Sequence, residues 1–214
     1  MTRFAVAVDG DVTTRAAHSL STHPGIEVVL LAPATSRQFD VVDSPAGCRA
    51  VVGTERALRA AQSAGLPAVT AGDTDGLPGV AWASLPGLAL ALAAALEGVD
   101  TVAVALPGEP EGSREVVFPS PIDARRVRPE AVDSHTVWMG GGDGSLAAAL
   151  SLGGEHDRVI LDDHLFMSAI ALAAGAVLLV EDQTPGRVAV WERSEPYLRA
   201  VTDMGLVLAE REVA

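Results

Sequence analysis

The chain contains neither lysine nor asparagine, and all fifteen of its basic residues are arginine. Schiff-base catalysis by lysine and a P-loop lysine are therefore excluded. The single cysteine, Cys48, cannot form an internal disulfide and cannot supply a cysteine-rich metal site. Aromatic residues make up only 4% of the sequence, so a core must be built mainly from alanine, valine and leucine. At 214 residues the chain is long enough to bury such a core in one large domain or two small ones.

Positive charge is also scarce, and the formal net charge is -13. Nucleic acids and anionic membranes bind clustered cations, so neither is expected as a partner. Arg3 is followed by an apolar run that is too short for a secretory signal and is interrupted by Asp9 and Asp11. The sequence therefore predicts a cytoplasmic protein whose ligand is a small molecule.

One long apolar run, Leu165–Val180, resembles a membrane span. It is shorter than the usual length of about 20 residues. Acidic pairs flank it on both sides, without the basic side that orients a membrane helix. The run is interpreted as a buried helix to Ala174, a break at Gly175 and a buried strand.

The stretch that organises the chain is Arg3–Pro33. It has the pattern of a buried strand, a tight turn at Asp9-Gly10-Asp11, a helix, a second turn and the strand Ile26–Leu31. This order is that of the βαβ unit that opens a dinucleotide-binding, Rossmann-like domain.

The phosphate-binding fingerprint G-x-G-x-x-G is incomplete in this unit. Gly10, Val12 and Arg15 occupy its three glycine places. Val12 and Arg15 cannot provide the close backbone approach or the tight helix packing that glycines allow. What remains is a helix N-terminus with nearby hydroxyl groups, which can hold a phosphate or can be a plain strand-to-helix turn. The candidate cofactor-binding residues of this turn are Gly10, Asp11, Val12, Thr13 and Thr14.

The acidic residue that would bind a ribose hydroxyl, expected about 20 residues beyond the first glycine, is missing. An arginine just after the second strand accommodates the 2′-phosphate of NADP instead. Arg37 is a candidate for that role, with a solvated loop charge as the alternative. The sequence thus favours NADP over NAD.

The strand and helix pattern then repeats, with a helix over Thr54–Ala64, a strand over Ala68–Ala71, a buried helix over Ser84–Leu96 and a strand over Asp100–Leu106. Together these segments predict an α/β fold with a Rossmann-like parallel sheet of five or six strands. The turn-rich segment Pro107–Arg114 is the expected boundary. It would divide the chain into a Rossmann-like domain, residues 1–110, and a smaller α+β substrate or dimerisation domain, residues 111–214.

The order of elements, with the ending ALPGEPEGSREVVFPSPI, resembles two-domain NAD(P)-dependent dehydrogenases of the saccharopine dehydrogenase, homoserine dehydrogenase and dihydrodipicolinate reductase type. The resemblance covers residues 1 to about 125. It implies that Gly10 lies beneath the pyrophosphate and that Ala71 and Gly72 lie near the nicotinamide. The catalytic lysine of the last two families has no counterpart here, because the chain has no lysine.

A glycine-rich segment, GGGDGS, follows the predicted strand His135–Met139 and is expected to open a helix over Leu146–Leu152. Such turns expose backbone N–H groups that can bind an anion. GGDGS is similar to the GGDG[ST] motif of NAD kinases and diacylglycerol kinases, which implies a catalytic role for Asp143. A flexible turn is the alternative.

A second candidate cluster consists of Asp162, Asp163 and His164, with His156 nearby. These residues can act as an acid–base or metal-binding group, although their spacing fits no metal motif on a helix face. Helix capping by Asp163 is the alternative. Beyond it, Val177–Glu181 and Arg187–Glu192 have the pattern of a β-hairpin, and a helix is expected to begin near Ser194.

Two functions follow from the sequence. The first is an NAD(P)-dependent oxidoreductase that acts on a small metabolite. The second is a catalytically inactive Rossmann-like module for ligand binding, regulation or assembly, whose alanine-rich faces support a homodimer. A kinase-like protein using the GGDGS turn is a third alternative.

Overall fold

The computed structural model describes residues 1–84, 87–88, 91, 101–105, 135–140, 146–152, 160–161, 164–181 and 186–205. Between residues 101 and 161 the description is limited to the backbone of the strands. The chain forms two compact units, one from Met1–Ala91 with Leu165–Leu206 and the other from Leu92–His164 with Val207–Ala214. The predicted boundary segment Pro107–Arg114 lies outside the described residues, and the division into domains 1–110 and 111–214 stays a prediction.

The secondary structure alternates strands and helices over the first third of the chain. In chain order the described elements are β1 (Thr2–Ala7), α1 (Asp11–Thr22), β2 (Ile26–Leu31), β3 (Val41–Val42), β4 (Ala50–Gly53), α2 (Glu55–Ala64), β5 (Ala68–Thr70), β6 (Gly79–Ala81), β7 (Thr101–Ala105), β8 (His135–Gly140), β9 (Leu146–Leu152), β10 (Ile160–Leu161), α3 (His164–Glu181), β11 (Arg187–Ala189), a 3-10 turn (Val190–Arg193) and α4 (Ser194–Asp203).

The first unit is built on a seven-stranded sheet with the order β11-β6-β5-β4-β1-β2-β3. Each neighbouring pair in this sheet is parallel. The α/β, Rossmann-like parallel sheet predicted from the sequence is therefore confirmed, with seven strands rather than five or six. β7 was expected in this sheet, but it pairs antiparallel with β8 in the second unit.

Strand and helix packing in the first βαβ unit follows from its sequence. Residues Phe4–Ala7 of β1 are fully buried, because the strand has neighbours on both edges and a covering layer. α1 buries Ala16, Ala17 and Leu20 along one face. α2 ends at Gly65 in the left-handed conformation, with φ 64°, as its sequence predicts for a residue just beyond a helix.

α3 runs without a break through Gly175, so the predicted break and the strand after it are wrong. Gly175 permits a close approach of the helix to the sheet, because it has no side chain at the contact. A Cβ atom added at Gly175 would lie 2.7 Å from Ala83 Cβ and 2.9 Å from Val69 Cγ1. Within the part of the chain that the structure describes, no helix is long and apolar enough to cross a membrane.

The predicted hairpin is also wrong, because Val177–Glu181 is helical and β11 pairs in parallel with β6. α4 begins near Ser194 as predicted. Tyr197 of α4 is fully buried and donates a hydrogen bond of 3.0 Å to the Ala171 carbonyl oxygen of α3. This bond ties the last described helix to the middle of α3.

The second unit contains a four-stranded sheet with the order β10-β9-β8-β7. The helix predicted over Leu146–Leu152 is wrong, because these residues form β9, which pairs antiparallel with β8 and parallel with β10. Alanine and leucine favour helices, but intrinsic propensity is small compared with tertiary interactions, and pairing with two neighbouring strands outweighs it.

Candidate functional site

The strand order places a topological switch point between β1 and β4. From β1 the chain continues outward to β2 and β3, and from β4 it continues in the opposite direction to β5 and β6. Open α/β sheets bind ligands outside the carboxyl ends of the strands at such a point. The residues that follow β1 and β4 here are Val8, Asp9, Gly10 and Thr54.

A carboxylate joins the two sides of the switch point. The Thr13 hydroxyl lies 3.1 Å from Asp9 Oδ1, and the Thr54 hydroxyl donates to Asp9 Oδ2. Thr13 belongs to the first turn of α1, and Thr54 is the residue just before α2. Asp9, Thr13 and Thr54, called the Asp9 clasp below, thus link the starts of both helices.

The same clasp engages backbone groups of the β1–α1 turn. The N–H groups of Asp9 and Gly10 donate to the Thr13 hydroxyl oxygen at 3.0 and 3.2 Å. Thr13 is only 1% exposed. Its hydroxyl is therefore turned into the protein, where it organises the turn.

The other residues predicted to bind a cofactor here have different environments. Gly10 has an extended backbone, with φ 174°, and a Cβ atom added to it would meet nothing within 4 Å. Asp11 is exposed at the start of α1 and Val12 is half-buried. Thr14 is exposed, and its hydroxyl donates to the Gly10 carbonyl oxygen at 2.9 Å. A side chain at position 10 would therefore meet no steric obstacle within 4 Å.

Arg56 of α2 reaches across the carboxyl ends of β1 and β2. Its guanidinium donates to the Val8 carbonyl oxygen at 2.9 Å and to the Leu31 carbonyl oxygen at 3.0 Å. A third bond goes to the Ala32 carbonyl oxygen. A cation from α2 therefore lies at the end of β2, where a dinucleotide-binding protein has its ribose-recognising group.

A pocket of about 250 Å³ adjoins this guanidinium. It is smaller than the roughly 300–1,000 Å³ typical of pockets for drug-sized ligands, so it has room for one part of a dinucleotide. It combines a cation, a carboxylate and hydroxyls with apolar walls. The lining residues are Leu31, Ala32, Asp43, Ser44, Pro45, Arg56, Ala60, Ser63 and Ala64.

Gly53 allows β4 and α2 to come close to β1 at this site. A Cβ atom on Gly53 would lie 2.9 Å from the Ala7 carbonyl oxygen and 3.1 Å from Ala57 Cβ. The backbone φ of 149° also disfavours other residues. Gly53 therefore allows the close approach of β4 to β1. At this spacing Thr54 can bond to Asp9 and Arg56 to the Val8 carbonyl oxygen, both just beyond β1.

Arg37, the predicted 2′-phosphate ligand, is exposed in the loop after β2. The loop is fixed on both sides of Arg37. The Ser36 hydroxyl accepts the N–H groups of Gln38 and Phe39 at 3.0 and 2.9 Å. The ring of Phe39 packs against His18 of α1 with centroids 5.1 Å apart.

Ala71 and Gly72, predicted to lie near a nicotinamide, follow the carboxyl end of β5. The Thr70 hydroxyl donates to the Gly72 carbonyl oxygen at 2.7 Å. The backbone N–H of Trp82 donates to the same oxygen at 2.8 Å. These bonds fix the turn at the same edge of the sheet as the switch point.

The candidates for catalysis lie beyond the parts of the chain whose side chains are described. Asp143, His156, Asp162 and Asp163 fall outside the described residues, and His164 is described only as the first residue of α3. Residues 146–152 form a strand rather than the helix expected after GGDGS, and the kinase-like interpretation stays a prediction. No group of three or more potential metal ligands occurs among the described side chains.

Sequence reasoning missed most of the residues that meet at the switch point. Thr54 was expected at the start of a helix, but its hydroxyl bonds to Asp9 and does not cap α2. Arg56 has the sequence context of an ordinary helix-surface arginine. The available signal was Gly53-Thr54 at the end of a buried strand, which marks a close backbone approach next to a helix N-terminus.

The strand order defines the first unit as Rossmann-like. No protein-family model matches the sequence, and no curated protein matches it. Among solved structures, the chain is similar to dipicolinate-bound dihydrodipicolinate reductase from Paenisporosarcina sp. TG-14, with 11% identity, a TM-score of 0.46, and coverage of 90% of this chain and 99% of that chain.

Proposed function

We propose that the protein binds an NADP-type cofactor at the switch point and is an oxidoreductase that acts on a small metabolite. The observation that carries this proposal is the guanidinium of Arg56 at the carboxyl end of β2, beside the 250 Å³ pocket. A cation at this place suits the 2′-phosphate of NADP, whereas NAD binding uses a carboxylate there.

The chemistry of Arg56 supports a phosphate ligand. Its present partners are neutral carbonyl oxygens. Hydrogen bonds from a guanidinium to a phosphate are charge-assisted and stronger than those to a neutral acceptor. Arg37 supplies a second arginine in the loop after the same strand. A 2′-phosphate would therefore compete effectively for the Arg56 donors.

The alternative is a ligand-binding, regulatory or assembly module without hydride-transfer chemistry. The Asp9 clasp favours it, because a carboxylate occupies the turn that would receive the pyrophosphate. The absence of lysine favours it too, since a lysine general acid is impossible. Binding of NADPH without turnover of any carbonyl or imine substrate would support this alternative.

Neutralising Arg56 tests the proposal. Arg56→Gln should weaken NADPH binding roughly tenfold or more, because a charge-assisted phosphate contact contributes about 1.5–3 kcal/mol. Binding of NADH should change far less. Isothermal titration calorimetry on the native protein and on Arg56→Gln would measure the affinities for NADPH and NADH.

Arg59→Gln is the matched control. Arg59 lies on the same helix, is exposed, and pairs with Glu55 at 3.2 Å. It should leave NADPH affinity within about twofold of native, because exposed ion pairs contribute little. Equal NADPH affinity in the native protein and Arg56→Gln would contradict the proposal.

A further inference from the structure

We propose that Asp9 is a specificity-determining residue that weakens binding of the cofactor's pyrophosphate at the switch point. The inference rests on the proposed function, because it concerns the same site. It assigns to the Asp9 clasp a role in ligand selection beyond the packing of the β1–α1 turn.

The position of the carboxylate is fixed from two directions. Thr54, the residue that precedes α2, donates to Oδ2, and the Thr13 hydroxyl in the first turn of α1 lies 3.1 Å from Oδ1 and 3.0 Å from the Gly10 carbonyl oxygen. Thr13 is itself held, because it accepts the N–H groups of Asp9 and Gly10 and is 1% exposed. The carboxylate therefore cannot leave the turn without breaking hydrogen bonds on both sides of the switch point.

A phosphate that approached the start of α1 would meet this negative charge. The N-terminal ends of α1 and α2 favour an anion, and Asp9 already supplies one between them. Asp9 and Gly10 are exposed, and a pyrophosphate at this turn would add further negative charge at a distance where like charges repel even in water. We expect the unfavourable interaction to fall mainly on the pyrophosphate, because the proposed 2′-phosphate contact is with the cation of Arg56 at the end of β2.

Two ligands separate these contributions. NADPH carries both the 2′-phosphate and the pyrophosphate, whereas 2′-AMP carries only the former. Asp9→Asn removes the charge and keeps an oxygen that can accept a hydrogen bond. We expect it to tighten NADPH binding roughly tenfold and to leave 2′-AMP affinity within about twofold of native.

Asp75→Asn is the matched control for net charge. Asp75 is exposed in the loop after β5 and has a φ of 50°, which asparagine tolerates. It should leave the affinities for both ligands unchanged. Thermal melting of each variant verifies folding, and Asp9→Ser replaces Asp9→Asn if the latter unfolds.

The outcomes distinguish the two proposals. A gain for NADPH in Asp9→Asn alone supports the inference. Equal NADPH affinity in the native protein and Asp9→Asn overturns it. The inference is also overturned if Asp9→Asn tightens 2′-AMP binding as much as NADPH binding, or if Asp75→Asn tightens NADPH binding as much as Asp9→Asn does. In each of these cases NADPH binding to the native protein still supports the proposed function. Failure of every variant to bind either ligand at about 1 mM overturns the proposed function and the inference with it.

Discussion

Tyr197 illustrates at the residue scale how burial sets chemical behaviour in this protein. It is the only tyrosine in the chain, and it lies buried between α4 and α3 with its hydroxyl bonded to the Ala171 carbonyl oxygen. Burial raises the pKa of Tyr197 far above its usual range, because the phenolate would lose its hydration. Burial likewise raises the pKa of the Cys48 thiol.

These shifts predict a loss of stability at alkaline pH. The unfolded tyrosine ionises near its ordinary pKa of about 10, while the folded one stays protonated, so the unfolded state binds fewer protons above that pH. The free energy of unfolding should then fall by about 1.4 kcal/mol per pH unit from this residue. The chain has no lysine to titrate in the same range.

Denaturant unfolding between about pH 9 and 11.5 would measure the effect, with tyrosinate absorbance as a second signal. Tyr197→Phe keeps the ring and removes both the hydroxyl and its titration. The pH dependence of its free energy of unfolding should lack the contribution of Tyr197, whereas the contribution of Cys48 remains. Appearance of tyrosinate absorbance in the folded protein at its ordinary pKa would show that Tyr197 is not buried as described.

At the scale of elements, the contact of α3 with the sheet depends on Gly175. Gly175→Ala improves helix propensity by about 1 kcal/mol. The new Cβ would lie within 3.0 Å of side-chain atoms of Ala83 and Val69, which are fully buried. Overpacking of a core typically costs about 1–3 kcal/mol, and we expect it to outweigh the gain in propensity.

The measurement is the midpoint of urea unfolding for Gly175→Ala and for Gly72→Ala. A Cβ atom at Gly72 would meet nothing within 4 Å, so that control should stay within about 0.5 kcal/mol of native. A more stable Gly175→Ala would mean that α3 does not approach β5 and β6 as closely as described.

Elements with strong local signals were predictable from the sequence. The strands β1 and β2, the helix α2 with its terminal Gly65, and the start of α4 all follow from periodicity and end signals over a few residues. α3 and β9 were mispredicted because distant partners decide them. Gly175 resembles a helix breaker in its local sequence, but it is required because α3 packs closely against β5 and β6 at this position.

The candidate site was only partly predictable for the same reason. Gly10 and its neighbours were located by the βαβ pattern. Asp9 and Thr54 are 45 positions apart, and Arg56 bonds to carbonyl groups 24 to 48 positions away. No local pattern reports such contacts, since they arise only when the parallel strands are placed side by side.

At the scale of the whole molecule, each of the two units has its own sheet. The alanine-rich faces of α1 and α2 pack inside the first unit, where Ala16, Ala17, Ala57 and Ala61 are buried. The expected homo-oligomer stays a prediction, and sedimentation equilibrium of the native protein would check it.

The central claim is that a guanidinium at the end of β2 selects a phosphorylated cofactor. Calorimetric titration of the native protein with NADPH and NADH tests it most directly. We predict that NADPH binds roughly tenfold more tightly than NADH, and that the difference shrinks as added salt screens the phosphate contact. Equal affinity for both, or no binding of either at about 1 mM, would contradict the account.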